Sequence, residues 1–200
     1  ARGIEVVSCD LSARTEAMGD GVVVVADEER LPFGAGGYDQ VVASLSLHWV
    51  NDLPGALIQL RMALRPGGML LASVPALGTL GALRSALTEA ELALTGGAAP
   101  RVSPFPELRD LAGLMQRAGF ELPVADVEEI VLAYAEPMQL LRDLRAAGEA
   151  NAVALRDKRA PPAGLFAAAL AALPSHGGRV PVLLRVGTVT GFAGAPAPGG

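Results

Sequence analysis

The stretch YDQVVASLSLHWVNDLPGALIQLRMALRPGGMLLASV, residues 38–74, decides the fold. Gln40 to Leu47 is apolar nearly throughout and carries Val41 and Val42, as expected of a strand buried on both faces. Its polar members, Ser44 and Ser46, come toward its C-terminal end. Asn51 and Asp52 can cap a following helix and Pro54 suits its first turn. Leu53, Leu57, Leu60 and Leu64 recur at helical spacing and predict one apolar face. Arg65 to Gly68 stops the helix and turns the chain into a second apolar strand, Met69 to Val74. Two strands joined by a crossover helix should lie parallel with a right-handed connection. The unit is βαβ and the fold class is α/β.

Working outward, Ile4 to Cys9 predicts a short strand ending at Asp10, and Ser12 can cap a brief helix from Ala13 to Met18. Gly19 to Gly21 turns the chain into the β-branched run Val22 to Ala26, which ends at Asp27. On the other side, a helix is expected from about Thr79 to Leu94, closed by Gly96 and Gly97. Leu108, Leu111, Met115 and Ala118 mark another helix, which Gly119 ends before a strand at Glu129 to Tyr134. Pro137 opens a helix to about Ala147, residues 151–158 read as partly exposed helix, and Ala163 to Leu173 is an alanine-rich helix. The last strand is Pro181 to Phe192, with a bulge or bend at Gly187. Residues 1–192 are expected to form a single domain, and the tail AGAPAPGG, residues 193–200, to be disordered.

With 200 residues, 51% of them hydrophobic, the chain can bury a sizeable core; at 4% aromatic content, that core must be aliphatic. A net charge of -5 argues against a general binder of nucleic acid or anionic membranes. The lone Cys9 can make no internal disulfide and no zinc cluster, and its apolar neighbours favour a buried structural thiol. Charges, glycines and prolines interrupt every apolar run short of a membrane span, so no integral membrane segment is expected. The chain opens on Ala1 rather than Met and enters a strand within three residues, which reads as a truncated start.

Ligands of open parallel α/β sheets bind beyond the carboxyl ends of the strands. Asp10, Asp27 and the run Ser44 to Trp49 all fall there. A carboxylate just past a strand can accept two hydrogen bonds from a ribose diol, and Asp27 could read an adenine edge, which suits a nucleoside-bearing cofactor. Both acids can equally be ordinary turn and cap residues, and spacing leaves the two readings even. His48 could serve as a general base beside Trp49, or the pair could simply pack at the helix entrance. Arg84 and Arg101 could contact an acidic or peptide substrate, though such arginines are usually solvated, and Glu89 and Glu91 read as surface charges. His176 reads as a solvated loop residue. No spacing of histidines, cysteines or carboxylates suggests a metal site.

The run DEERLPFGAGGYDQVVASLSLHWVNDLPGALIQLRMALRPGGMLLAS, residues 27–73, resembles the post-cofactor half of a class I, type 11 methyltransferase dependent on S-adenosylmethionine. Within that group, SLSLHWVNDLPGAL, GTLGALRSAL, RVSPF and RDLRAAGEANA are similar to the mitochondrial and alphaproteobacterial assembly factor of respiratory complex I, a family linked to arginine hydroxylation of a complex I subunit. The central region is also similar to the malonyl-acyl-carrier-protein methyltransferase of biotin synthesis. The resemblance implies a Rossmann-like sheet with flanking helices, of which the first strand and glycine-rich loop are missing here. It implies S-adenosylmethionine as cofactor, with Asp10 at the ribose, Leu11 packed beside it, Asp27 near the adenine amine followed by Glu28, and Ser44 at the methionine part. His48 and Trp49 are the catalytic candidates. The partner implied is a protein substrate, a complex I subunit, in the bacterial cytoplasm or, in a eukaryote, the mitochondrial matrix. In the family the missing strand lies between those ending at Asp10 and beginning at Gln40, so this stretch alone should bind the cofactor weakly or not at all. A carboxyl methyltransferase and a non-catalytic binding module remain the alternatives.

Overall fold

A computed structural model of the chain describes residues 3–12, 21–149 and 159–194. Six strands and five helices follow in the order β1 (Val7–Asp10), β2 (Val22–Val25), β3 (Tyr38–Ser44), α1 (Leu53–Ala63), β4 (Leu64–Pro75), α2 (Gly81–Thr95), α3 (Leu108–Arg117), β5 (Phe120–Tyr134), α4 (Pro137–Ala146), α5 (Leu165–Ala171) and β6 (Val180–Ala193). β1 and β2 form a parallel pair, and the remaining strands form a sheet in the order β3-β4-β6-β5. The helices expected at 13–18 and 151–158 lie outside the described residues, as do residues 195–200 of the tail.

β3 and β4 are parallel with α1 between them, as the sequence predicts, but β3 is not buried on both faces: Ala43 alone is buried in it and Val42 is 62% exposed. Asp52 is the cap, its side chain accepting from the Gly55 N–H at 3.0 Å, and Pro54 lies in the first turn. Leu57, Leu60 and Leu64 are buried while Ile58 and Met62 face out. Two boundaries differ. β3 ends at Ser44 rather than Leu47, because Leu45 takes a left-handed conformation (φ 50°) and Leu47 to Trp49 form a 3-10 turn. The strand β4 begins at Leu64, immediately after α1, and the Arg65 to Gly68 segment is accommodated as an irregularity opposite Asp39, with Tyr38 paired to Leu64 and Gln40 to Met69. Glycine is required here: Gly67 has φ 78°, and a Cβ on Gly68 would lie 2.9 Å from the Arg65 carbonyl oxygen. Arg65 also pairs with Asp39.

β5 is more than twice the expected strand, starting at Phe120 instead of Glu129. Pro123, Asp126 and Glu128 suggest a loop, but β5 is an edge strand, where a missing donor and alternating charges are tolerated. β1 is shorter than predicted, losing Ile4 to Val6.

By its internal contacts the chain divides into two compact units, one of Ala1–Ser73, Leu111–Ala125 and Val189–Gly200 and one of Val74–Asp110 and Asp126–Thr188. In the first, Leu70 and Met115 are fully buried. In the second, Leu83 and Leu87 of α2 pack with Leu165, Ala169 and Leu170 of α5 and with Leu140, Val180 and Val182. The largest fully buried side chains are Leu, Met and Val, so the core is aliphatic as the composition requires. Within the second unit Thr79 and Arg185 exchange bonds: the Thr79 hydroxyl donates to the Arg185 carbonyl at 2.9 Å and accepts its N–H at 2.8 Å. That exchange fixes the segment entering α2 against β6.

Candidate functional site

The carboxyl ends of β1 and β2 bring the two predicted acids together. Asp10 is paired with Val25, and the Ala26 N–H donates to the Asp10 carbonyl at 3.1 Å, so Asp10 and Asp27 leave neighbouring strands at the same end. Each shapes its own turn: Asp10 Oδ1 accepts the Ser12 N–H at 2.7 Å and Asp27 Oδ1 the Glu29 N–H at 2.9 Å. The turn role and the binding role are therefore compatible, because each carboxylate commits one oxygen to these bonds and has acceptor capacity on the other. Leu11 is exposed next to Asp10.

Glu28 is half-buried, and its carboxyl is pushed up from the ordinary range, first by burial and then by the negative charges of Asp10 and Asp27. The same surroundings raise the Cys9 thiol, by burial and then by Glu28 and Asp10. Cys9 is half-buried rather than buried and directs its thiol to the Ala26 carbonyl at 3.9 Å. It underlies the acid turn as a structural thiol.

The second part of the rim follows β3. Ser44 is exposed, and the Leu45 N–H donates to the Ser73 carbonyl at 2.9 Å and lies 3.2 Å from the Ser73 hydroxyl. These bonds hold Leu45 at φ 50° although its side chain is 44% exposed and gains little from packing. A left-handed leucine costs about 1–2 kcal/mol, and strain of this kind gathers where a backbone must present itself to a ligand. Leu45→Gly is expected to raise the unfolding free energy by up to ~1 kcal/mol, read by chemical denaturation; destabilisation would show that the leucine side chain carries the turn. His48 and Trp49 stack at 4.9 Å in the 3-10 turn, both half-buried, with Leu47 buried beneath.

Sequence reasoning missed the clamp between these parts. Glu29 Oε1 accepts the Asn51 side-chain amide at 3.1 Å and also the Asn51 N–H. Gln59 of α1 donates to the Glu29 carbonyl at 2.9 Å and accepts the Leu31 N–H at 3.0 Å. The acid-bearing turn after β2 is thus tied to the entrance of α1. Asn51 reads as a cap in the sequence, but its amide serves Glu29. Polar Gln59 within the apolar helix was the one available signal.

Arg84, Arg101 and Glu91 depart from expectation. Glu91 is buried rather than on the surface, and it pairs with Arg101 and accepts the Ala99 N–H at 3.0 Å. Leu83, Leu87 and Glu91 follow one another at four-residue spacing, which places the acid on the buried face of α2. Arg84 is not solvated either: it lies over the Phe105 ring at 5.9 Å and donates to the Ser103 carbonyl at 2.6 Å. Glu89 and His176 are exposed. Among the described residues no group of histidine, cysteine and carboxylate side chains could hold a metal ion, and no helix is long and apolar enough to cross a membrane.

Acids at the carboxyl ends of paired parallel strands, with the turn after β2 tied to the entrance of α1, suit the Rossmann-like class. Residues 1–123 match the methyltransferase domain family, and the chain belongs to that family. It is 45% identical over 130 residues to the mitochondrial arginine-hydroxylase NDUFAF5 of Homo sapiens, a match covering 65% of this chain and 38% of that protein. To the malonyl-[acyl-carrier protein] O-methyltransferase of Xylella fastidiosa it is 36% identical over 150 residues, covering 75% of this chain and 49% of that one. The chain thus spans less than half the length of these relatives. A methyltransferase structure from Bacillus halodurans superposes with a TM-score of 0.61 at 16% identity, covering 96% of this chain and 84% of the other, and shares the mixed sheet with flanking helices.

Proposed function

We propose that this chain carries the nucleoside half and the acceptor-side rim of an S-adenosylmethionine site in a protein of the complex I assembly-factor type, acting on a protein subunit. The observation that carries the reading is the adjacency of Asp10 and Asp27 at the ends of β1 and β2, with the following turn clamped through Glu29 to Asn51. Asp10 accepts the ribose hydroxyls, with Leu11 beside the sugar. Asp27 and Glu28 face the adenine amine, where the raised carboxyl of Glu28 keeps part of the acid cluster neutral more readily than a free glutamate. The backbone at Ser44 and Leu45 meets the methionine part, and His48 and Trp49 border the acceptor. When bound, the cofactor supplies an electrophilic methylsulfonium; the residues named here hold and orient it, and alignment supplies most of what methyl transfer needs.

The relative named as an arginine-hydroxylase supports a protein substrate, in the mitochondrial matrix of a eukaryote or the bacterial cytoplasm. The match to the malonyl-[acyl-carrier protein] O-methyltransferase supports a second reading, carboxyl methylation of a carrier-bound acyl group. The two separate when the full-length protein is incubated with labelled S-adenosylmethionine and either a complex I subunit or a malonylated carrier. Transfer of the labelled methyl group to the subunit alone upholds the first reading. Label on the carrier replaces it with the second, and cofactor binding with neither product leaves a non-catalytic assembly module.

A further inference from the structure

The second unit contains a cavity of about 730 Å³ that the cofactor reading does not use. Its size is that of a small-molecule site, for which roughly 300–1,000 Å³ is usual. Leu80, Leu83 and Leu87 line it from α2 and its entrance, and Leu141 and Leu144 from α4. Phe105 and Phe166 add aromatic surface. The loop that bears Phe105 is held over α2 by the Glu91–Arg101 pair and by Arg84, so this wall is built in place rather than draped.

The charges around this apolar chamber favour an anion. Glu91 is committed to Arg101 and the Ala99 N–H. Arg84, behind the Phe105 wall, has its Nε buried without a hydrogen-bond partner. Arg145 lines the mouth from the last turn of α4, is exposed, and forms no ion pair among the described residues. Among the described residues Glu149 is the one acid that lines the cavity. We infer that this cavity binds an amphiphile, an unbranched aliphatic chain ending in a single carboxylate, with the chain among the leucines of α2 and α4 and the head at Arg145.

Titration calorimetry of the 200-residue chain with hexanoate, octanoate and decanoate, without S-adenosylmethionine, tests this. Affinity should rise about fourfold for each methylene buried until the cavity is filled. Octanoate should bind more tightly than octanol or octylamine, and Arg145→Gln should abolish its advantage over octanol, a loss of roughly three- to tenfold for an exposed charged contact. Leu144→Trp, placed on a half-buried lining position, should remove the chain-length dependence while circular dichroism stays native. No saturable binding by the folded wild type, preference for octylamine, or an unaltered octanoate affinity in Arg145→Gln would each overturn the assignment. The experiment omits the cofactor, so its outcome is independent of the methyltransferase reading.

Discussion

Glu91→Ala is expected to lower the unfolding free energy by about 3–5 kcal/mol, the usual consequence of leaving one half of a buried ion pair behind. The side chains of Glu91 and Arg101 are only 6% and 14% exposed, and the carboxylate also accepts the Ala99 N–H at 3.0 Å. Removing it takes the acceptor from a guanidinium and an amide where water has little access. The sum of these losses exceeds what the pair itself contributes, because desolvation offsets most of the attraction between its members. Glu91→Leu combined with Arg101→Met should therefore recover most of the loss. Denaturant titration of the single and double variants decides the matter. A single-variant effect under ~1 kcal/mol would mean that the pair behaves as a solvated surface bridge.

The second large effect concerns cofactor affinity. On the proposed reading the 200-residue chain supplies Asp10, Asp27 and the strained turn at Leu45, but residues 1–9 hold one glycine, Gly3, and no glycine-rich turn leading into β1. Among the described residues β1 pairs with β2 and β3 with β4, so one edge of β1 and one of β3 have no strand partner. Close backbone approach to the methionine part depends on such a turn. Binding of S-adenosylmethionine by this chain should therefore be no tighter than about 1 mM, or ~4 kcal/mol. A chimera with a relative's strand and glycine-rich turn joined ahead of β1 should bring affinity into the micromolar range. A micromolar Kd for the 200-residue chain itself would refute this division of the site.

The βαβ unit was legible because both of its signals are local: apolar runs for β3 and β4, and leucine spacing with an Asp-Pro start for α1. β5 was half hidden because an edge strand does not need an apolar pattern, so residues 120–128 gave no strand signal. The acids of the candidate site could be placed at strand ends from sequence, since the β-branched run Val22 to Ala26 marks a strand that the structure ends one residue earlier, at Val25. The Glu29–Asn51–Gln59 clamp could not, because Glu29 lies 22 and 30 residues from its two partners and each has an ordinary local role. Glu91 and Arg101 were misread for the opposite reason: charged side chains are mostly exposed, and only the four-residue spacing from Leu83 and Leu87 marks Glu91 as inward.

The most direct test of the nucleoside half-site is the affinity for S-adenosylhomocysteine of the chimera carrying a relative's strand and glycine-rich turn ahead of β1, measured by calorimetry for the wild-type sequence, Asp10→Asn and Asp39→Asn. Asparagine at position 10 can still accept the Ser12 N–H, so the turn is preserved while the charged acceptor is lost. Asp39 lies at the opposite end of β3, paired with Arg65, and serves as the control. The account predicts a loss of roughly 10- to 150-fold for Asp10→Asn, the worth of hydrogen bonds to a charged group, and no change for Asp39→Asn. Equal affinity in wild type and Asp10→Asn would contradict it.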